Sequence, residues 1–128
     1  MQDRPTAPEL LDALAAMLFA EVRQWVPRER RFQVLVAANL CAVVARELRA
    51  GAEPSLADIR LFHSILGVES PDPAPEGAVE EARSSARELA DRLRRGDFDD
   101  QLDAIALSLR EHVRRKLAVA RPGYWESD

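Results

Sequence analysis

The sequence predicts an all-α protein, an antiparallel bundle of four longer helices and one short helix with the second helix at its centre. Three observations support this fold class. Apolar residues make up 47% of the 128 residues and are mostly Ala, Leu and Val, and Ala and Leu favour helices. They recur at three- and four-residue steps, the period of a helix, and proline or glycine follows the runs. The length is near the commonest domain size, so we expect one domain over residues 1–128.

The first predicted helix begins at Thr6 and ends before Pro27. Thr6 and Glu9 have the spacing of a capping box, in which hydroxyl and carboxylate each satisfy a backbone N–H group. An apolar stripe at helical steps follows it, which indicates one packed face.

The second helix is expected from about Glu29 to Arg49, before Gly51. Within it residues 34–44 are apolar around the whole circumference apart from Asn39. A helix that is apolar all round is normally buried. We therefore expect residues 32–48 to form the core helix of the bundle.

The third helix is short and is expected to start at Ser55, with Asp58 as its capping partner, and to stop at Gly67. Three prolines within residues 70–75 indicate a stiff surface crossover. The last two helices are expected at residues 76–95 and 99–120. The earlier of these has a thin apolar stripe, so we expect it to be the most weakly held.

Charge, cysteine content and the length of the apolar runs restrict the partners and the cellular compartment that we expect. The net charge of −4 argues against a nucleic-acid partner, which would require a basic surface. Cys41 is the only cysteine, which is typical of a buried thiol in a reducing compartment. The longest nearly apolar stretch, residues 34–45, is shorter than the roughly 20 residues that span a bilayer. The N-terminus lacks the apolar run of a signal peptide. We expect a soluble, cytoplasmic protein that enters no membrane.

Asn39 is the polar residue that ordinary core packing does not require. A buried amide without partners costs about 1–3 kcal/mol, so we expect it to bond a neighbouring helix and set the packing register. A ligand contact inside the bundle is the alternative. Such a ligand site would include Asn39, His63 and the arginines before the second helix, Arg28 and Arg31.

Sequence motifs do not indicate catalysis or metal binding. The two histidines, His63 and His112, lack the paired Glu-x-x-His motifs of helical metal sites. We expect His63 to be half-buried and His112 to flank its helix. The serines lie within predicted helices without a glycine-rich elbow, and the five glycines form no phosphate loop. We expect a non-enzymatic protein without metal or cofactor.

Three aromatic residues are candidates for contacts at a surface: Trp25, Tyr124 and Trp125. The two in the tail are expected either to fold back and pin the end of the bundle or to dock onto a second subunit or another protein.

Three segments carry a family resemblance: Arg4 to Leu11, Arg31 to Asn39 with Arg46-Glu47-Leu48, and Lys116 to Tyr124. Together they resemble a bacterial family of small helical proteins of unknown function. Its members are often encoded beside, or attached to, aminoglycoside-phosphotransferase-like kinases and acyl-CoA dehydrogenases. The resemblance implies an accessory link to a kinase-like or acyl-CoA-metabolising partner, and it supplies no known activity.

Two functional hypotheses remain. The leading one is a non-enzymatic accessory or interaction module that forms a homo-oligomer or binds a kinase-like or acyl-CoA dehydrogenase partner. The alternative is a bundle that holds an acyl or phosphate-bearing small molecule between its helices.

Overall fold

A computed structural model describes residues 4–124 of the protein. Helices account for 79% of these residues, and no strand occurs among them, so the predicted all-α class is confirmed. The chain divides into two compact units, Met1–Gly51 and Ala52–Asp128. The single domain over residues 1–128 stays a prediction.

The first unit is a helical hairpin. Its elements in chain order are α1 (Ala7–Met17), a π-helical turn (Leu18–Val22), α2 (Arg23–Trp25), a 3-10 turn (Arg28–Arg30) and α3 (Arg31–Ala50). The expected capping box forms at the start of α1. The backbone N–H of Thr6 donates to Glu9 Oε2 at 2.7 Å.

The two long helices of this unit run antiparallel. Asp12, in the first third of the helical run from Ala7 to Trp25, is ion-paired with Arg49, near the end of α3. The α3 residues that become buried are small, Ala38 and Ala45, and small side chains let two helix backbones approach closely. The contact between α1 and α3, which we call the seam, is therefore narrow, and it is what mainly holds the hairpin together.

The expectation that α3 is a fully buried core helix is wrong. Phe32 is 74% exposed and Leu40 is 57% exposed, and Cys41 is only partly buried. Asn39, which we expected to be buried or bound to a neighbouring helix, is exposed. An apolar circumference can be buried only if helices cover it on every side, and α1 covers only one face.

The second unit contains three helices and the larger core. They are α4 (Glu53–Leu66), α5 (Ala78–Arg94) and, after a 3-10 turn (Asp99–Gln101), α6 (Leu102–Ala120). Its main hydrophobic cluster comprises Phe62, Leu66, Leu89, Phe98 and Ile105. The helix expected from Ser55 instead begins at Glu53.

Helices α4 and α5 run parallel, which contradicts the predicted antiparallel arrangement. The first residue of α5, Ala78, packs with Leu56 and Ile59 in the first half of α4. Further along, His63 contacts Ser85, and Arg92 donates to the backbone carbonyl of Leu66 at the end of α4. Residue numbers thus increase together along the two helices.

The proline-rich crossover explains this direction. Residues 70–75 have no regular secondary structure, as expected for a surface crossover. Arg60 Nε donates to Asp72 Oδ1 at 3.0 Å, which places the crossover alongside α4. A stiff segment extends by about 3.1 Å per residue, so it can carry the chain back to the level where α4 began.

Among residues 4–124, no helix is both long and apolar enough to span a membrane.

Candidate functional site

The first unit exposes an apolar ridge on α3. Its members are spaced four residues apart and are all exposed: Phe32, Val36, Leu40, Val44 and Leu48. Residues four apart form the ridges that fit into the grooves of a neighbouring helix. Each step of four residues advances about 40° around the helix, so a neighbouring helix can pack on a part of this ridge, such as Leu40 to Leu48.

Helix α1 extends this surface along one edge of the hairpin. The ion pair of Asp12 with Arg49 lies on one edge of the seam between α1 and α3. At 3.6 residues per turn, Leu14 lies about 160° from Asp12 on α1. On α3, Leu48 and Arg49 lie on opposite sides of buried Ala45, at about 60° and 40° from it. Both leucines consequently point to the other edge. We call the exposed residues there the apolar face: Leu10, Leu14, Met17, Leu40, Val44 and Leu48.

The residues predicted to bind a ligand are divided between the two units. Arg28, Arg31 and Asn39 belong to the first unit and are all exposed. At 1.5 Å per residue, Arg31 and Asn39 are about 12 Å apart along α3. His63 belongs to α4, in the second unit, where it is half-buried as expected.

Two of the three aromatic candidates for surface contacts lie among the described residues, and both are exposed. Trp25 is 72% exposed at the end of α2, so its side chain is available for contact. Tyr124 is also exposed, with the guanidinium of Arg121 over its ring at 5.4 Å. Trp125 lies outside the described residues, and the role of the tail stays a prediction.

A buried ionic cluster in the second unit was not expected. Asp58 Oδ1 lies 2.8 Å from His112 Nδ1 and accepts a hydrogen bond from the guanidinium Nη2 of Arg115 at 2.7 Å. The three side chains are only 11%, 19% and 27% exposed, respectively. Phe62 packs edge-on against the imidazole, with ring centroids 5.2 Å apart. The cluster joins α4 to α6.

Sequence reasoning did not bring these three residues together. Asp58 was interpreted as a capping residue and His112 as a helix flank. Asp58 is 54 and 57 residues away from its partners, and no local pattern predicts a contact over that separation. The one available signal was the i, i+3 spacing of His112 and Arg115, which places them on the same face as buried Ile105.

The chemistry of the cluster is suited to holding two helices together. The carboxylate orients one imidazole nitrogen, while the guanidinium balances the negative charge. Arg115 Nε is buried without a hydrogen-bond partner. No group of three His, Cys, Asp or Glu side chains within residues 4–124 could hold a metal ion.

A second histidine pair links α4 to α5. His63 Nε2 lies 3.1 Å from Ser85 Oγ and 3.9 Å from Glu81 Oε1. In a catalytic triad the acid binds the imidazole nitrogen opposite the one that faces the serine. Here serine and carboxylate approach the same nitrogen, so the arrangement is not that of an activated serine.

Charge interactions in the first unit concentrate at one end of the hairpin. Hydrogen bonds from the backbone and side chain of Thr6 lower the pKa of Glu9, and nearby Arg49 adds to this. The hydrogen bond to Asp12 in turn raises the pKa of Arg49. These groups stabilise the end of the hairpin and stay on the edge opposite the apolar face.

Comparison with known proteins identifies the family. No curated protein and no solved structure matches the chain. A family described as a domain of unknown function (DUF6285) matches residues 24–124, which is most of the chain and includes α3 to α6. The protein therefore belongs to the DUF6285 family of domains of unknown function.

Proposed function

We propose that this protein is a non-enzymatic association module that acts by binding other protein chains through its first unit. One observation carries the proposal. Of the sixteen large hydrophobic residues exposed between residues 4 and 124, ten lie in the first unit. That unit is the smaller of the two.

Folding energetics support the same proposal. Within residues 4–51 only Ala38 and Ala45 are buried. Ordering a residue costs about 1–2 kcal/mol of backbone entropy, while burying a large apolar side chain returns about 1.5–3 kcal/mol. The large apolar side chains of the seam, such as Leu11, Leu18 and Leu35, are only half-buried. Covering the exposed apolar side chains would therefore add to the stability of the hairpin, which suits a module that associates.

The polar side chains fit a structural role better than a catalytic one. His112 and Asp58 tie α4 to α6, and His63 with Ser85 ties α4 to α5. Each histidine thus uses a ring nitrogen to join two helices, which supports the non-enzymatic part of the proposal.

The resemblance noted in the sequence suggests the class of partner. It implies a kinase of the aminoglycoside-phosphotransferase type or an acyl-CoA dehydrogenase, and the protein would serve it as an accessory subunit in the cytoplasm. The apolar face supports an accessory role, since enriched exposed apolar surface marks protein contacts.

Capture from the native host tests this function. The tagged full chain is compared with Leu40→Glu, on the apolar face, and with Leu107→Glu, a matched control on α6 that is 69% exposed. We expect one of the two enzyme classes to be recovered with the wild type and with the control, and to be lost with Leu40→Glu. Recovery of neither class, or equal recovery with all three chains, would contradict the proposal.

A ligand-binding bundle is the second candidate. The observation in its favour is that Arg28 and Arg31 are exposed at the start of α3, where the helix dipole also favours an anion. A ligand bound only by the folded state must raise the melting temperature. A thermal-shift screen with acyl-CoA thioesters and nucleotides checks this, with Arg31→Ala and Asn39→Leu as variants. Shifts that the variants abolish would support it, and no shift would remove it.

A further inference from the structure

We propose that the apolar face pairs with the same face of a second copy, so that two hairpins form a four-helix interface. This inference rests on the proposed function and deepens it by naming the first partner: the dimer is then the form that captures the enzyme, so Leu40→Glu removes both the dimer and the capture. In a two-fold dimer the same patch lies on both sides of the interface and must be complementary to itself. The composition of the face and its size both meet that requirement.

Charge is the first argument for a second copy. A two-fold axis brings like residues towards one another, so a charged patch would repel its own copy. The apolar face consists of four leucines, a methionine and a valine. The ion pair of Asp12 with Arg49 lies on the other edge of the hairpin. Pairing therefore buries apolar side chains and leaves this ion pair outside the interface.

Size is the second argument. The 20 residues of α3 form a helix about 30 Å long, and two packed helices are about 20 Å wide. One side of the hairpin thus has an outline of about 600 Å², and two copies that meet over the whole of it would bury about 1,200 Å². Stable interfaces begin at about this area. Monomers rarely expose a continuous apolar patch of more than a few hundred Å².

The arrangement also suits the apolar ridge. Leu40, Val44 and Leu48 belong both to the ridge and to the apolar face. The α3 helix of a second copy can therefore insert the same three side chains into the grooves on either side of this row. Ridges of residues spaced four apart interdigitate in the commonest class of helix packing. Both copies then cover each other's face with identical side chains.

Sedimentation velocity of the full chain over a wide concentration range tests the inference. We expect the wild type to have twice the chain mass of 14.3 kDa and to dissociate on dilution. Leu40→Glu should be monomeric, because the dimer would bury two carboxylates against leucines. Leu107→Glu should keep the wild-type mass.

The melting temperature of the wild type provides a readout that does not depend on a variant's folding. If two copies stabilise each other, the melting temperature rises with protein concentration. A melting temperature independent of concentration, together with a monomeric mass, overturns the inference. A dimer that Leu40→Glu leaves intact also overturns it, because the copies would then meet elsewhere.

Failure of this inference is distinguishable from failure of the proposed function. A monomeric chain that still captures a kinase-like or dehydrogenase partner through Leu40 removes the dimer and keeps the association module. A dimer that captures neither enzyme class keeps the interface and removes the accessory role.

Discussion

Replacing Asp58 with alanine tests whether the ionic cluster holds the second unit together. Its carboxylate makes two short charge-assisted hydrogen bonds, to His112 and to Arg115, and such bonds contribute about 1.5–3 kcal/mol each. Breaking a fully buried pair costs about 3–5 kcal/mol. Arg115 is 27% exposed and can turn partly to water, so we expect a loss of about 2–4 kcal/mol in the free energy of unfolding.

Differential scanning calorimetry provides the assay. For a chain of this length, about 4 °C of melting temperature corresponds to 1 kcal/mol, so Asp58→Ala should lower the melting temperature by about 8–16 °C. Asp58→Asn keeps an acceptor oxygen but loses the charge, and should lie between the wild type and the alanine variant.

The matched control is Asp91→Ala on α5. The carboxylate of Asp91 pairs with Arg94 in an exposed ion pair, with both side chains about two-thirds or more exposed, and such pairs contribute about 0–1 kcal/mol. The control should change the free energy of unfolding by no more than about 0.5 kcal/mol. If Asp58→Ala were no more destabilising than the control, the cluster would not be a structural tie.

Three further predictions concern the backbone, the pH response and local stability. Gly51→Ala should destabilise the protein more than Gly67→Ala, because Gly51 has φ 62° and ψ −141°, a region nearly exclusive to glycine, whereas Gly67 is ordinary left-handed backbone at φ 69° and ψ 28°. The difference should be about 1–3 kcal/mol by urea unfolding; equal losses would contradict the reasoning. The lowered pKa of Glu9 means that its contribution is present above the usual carboxyl pKa and is lost as the pH falls through the folded value. Glu9→Gln should therefore melt below the wild type at neutral pH and converge with it in acid, and a constant difference across pH would refute this. Hydrogen exchange should protect α5 near Leu89 more than α3 near Leu40, contrary to the expectation from the thin apolar stripe, because Leu89 is in the main core and Leu40 is exposed.

The sequence was most informative where local chemistry decides structure. The capping box at Thr6 and the stops at Pro27 and Gly51 follow from hydrogen bonds and dihedral preferences within a few residues. The corresponding helix limits agree with the structure to within a few residues. Asp58 shows the limit of that approach, since its spacing from Ser55 imitates a cap while its actual partners lie on α6.

What the sequence determined by itself was the helical class, the order of the helices and membership of the DUF6285 family. Tertiary structure alone decided the rest: that α4 and α5 run parallel, that Asp58 meets His112, and that α3 is covered on one face only. The physical reason is that periodicity shows which side chains are apolar and share a face of a helix. Which face another helix covers depends on the direction that the chain takes after each turn. In the first unit this path leaves the apolar face exposed.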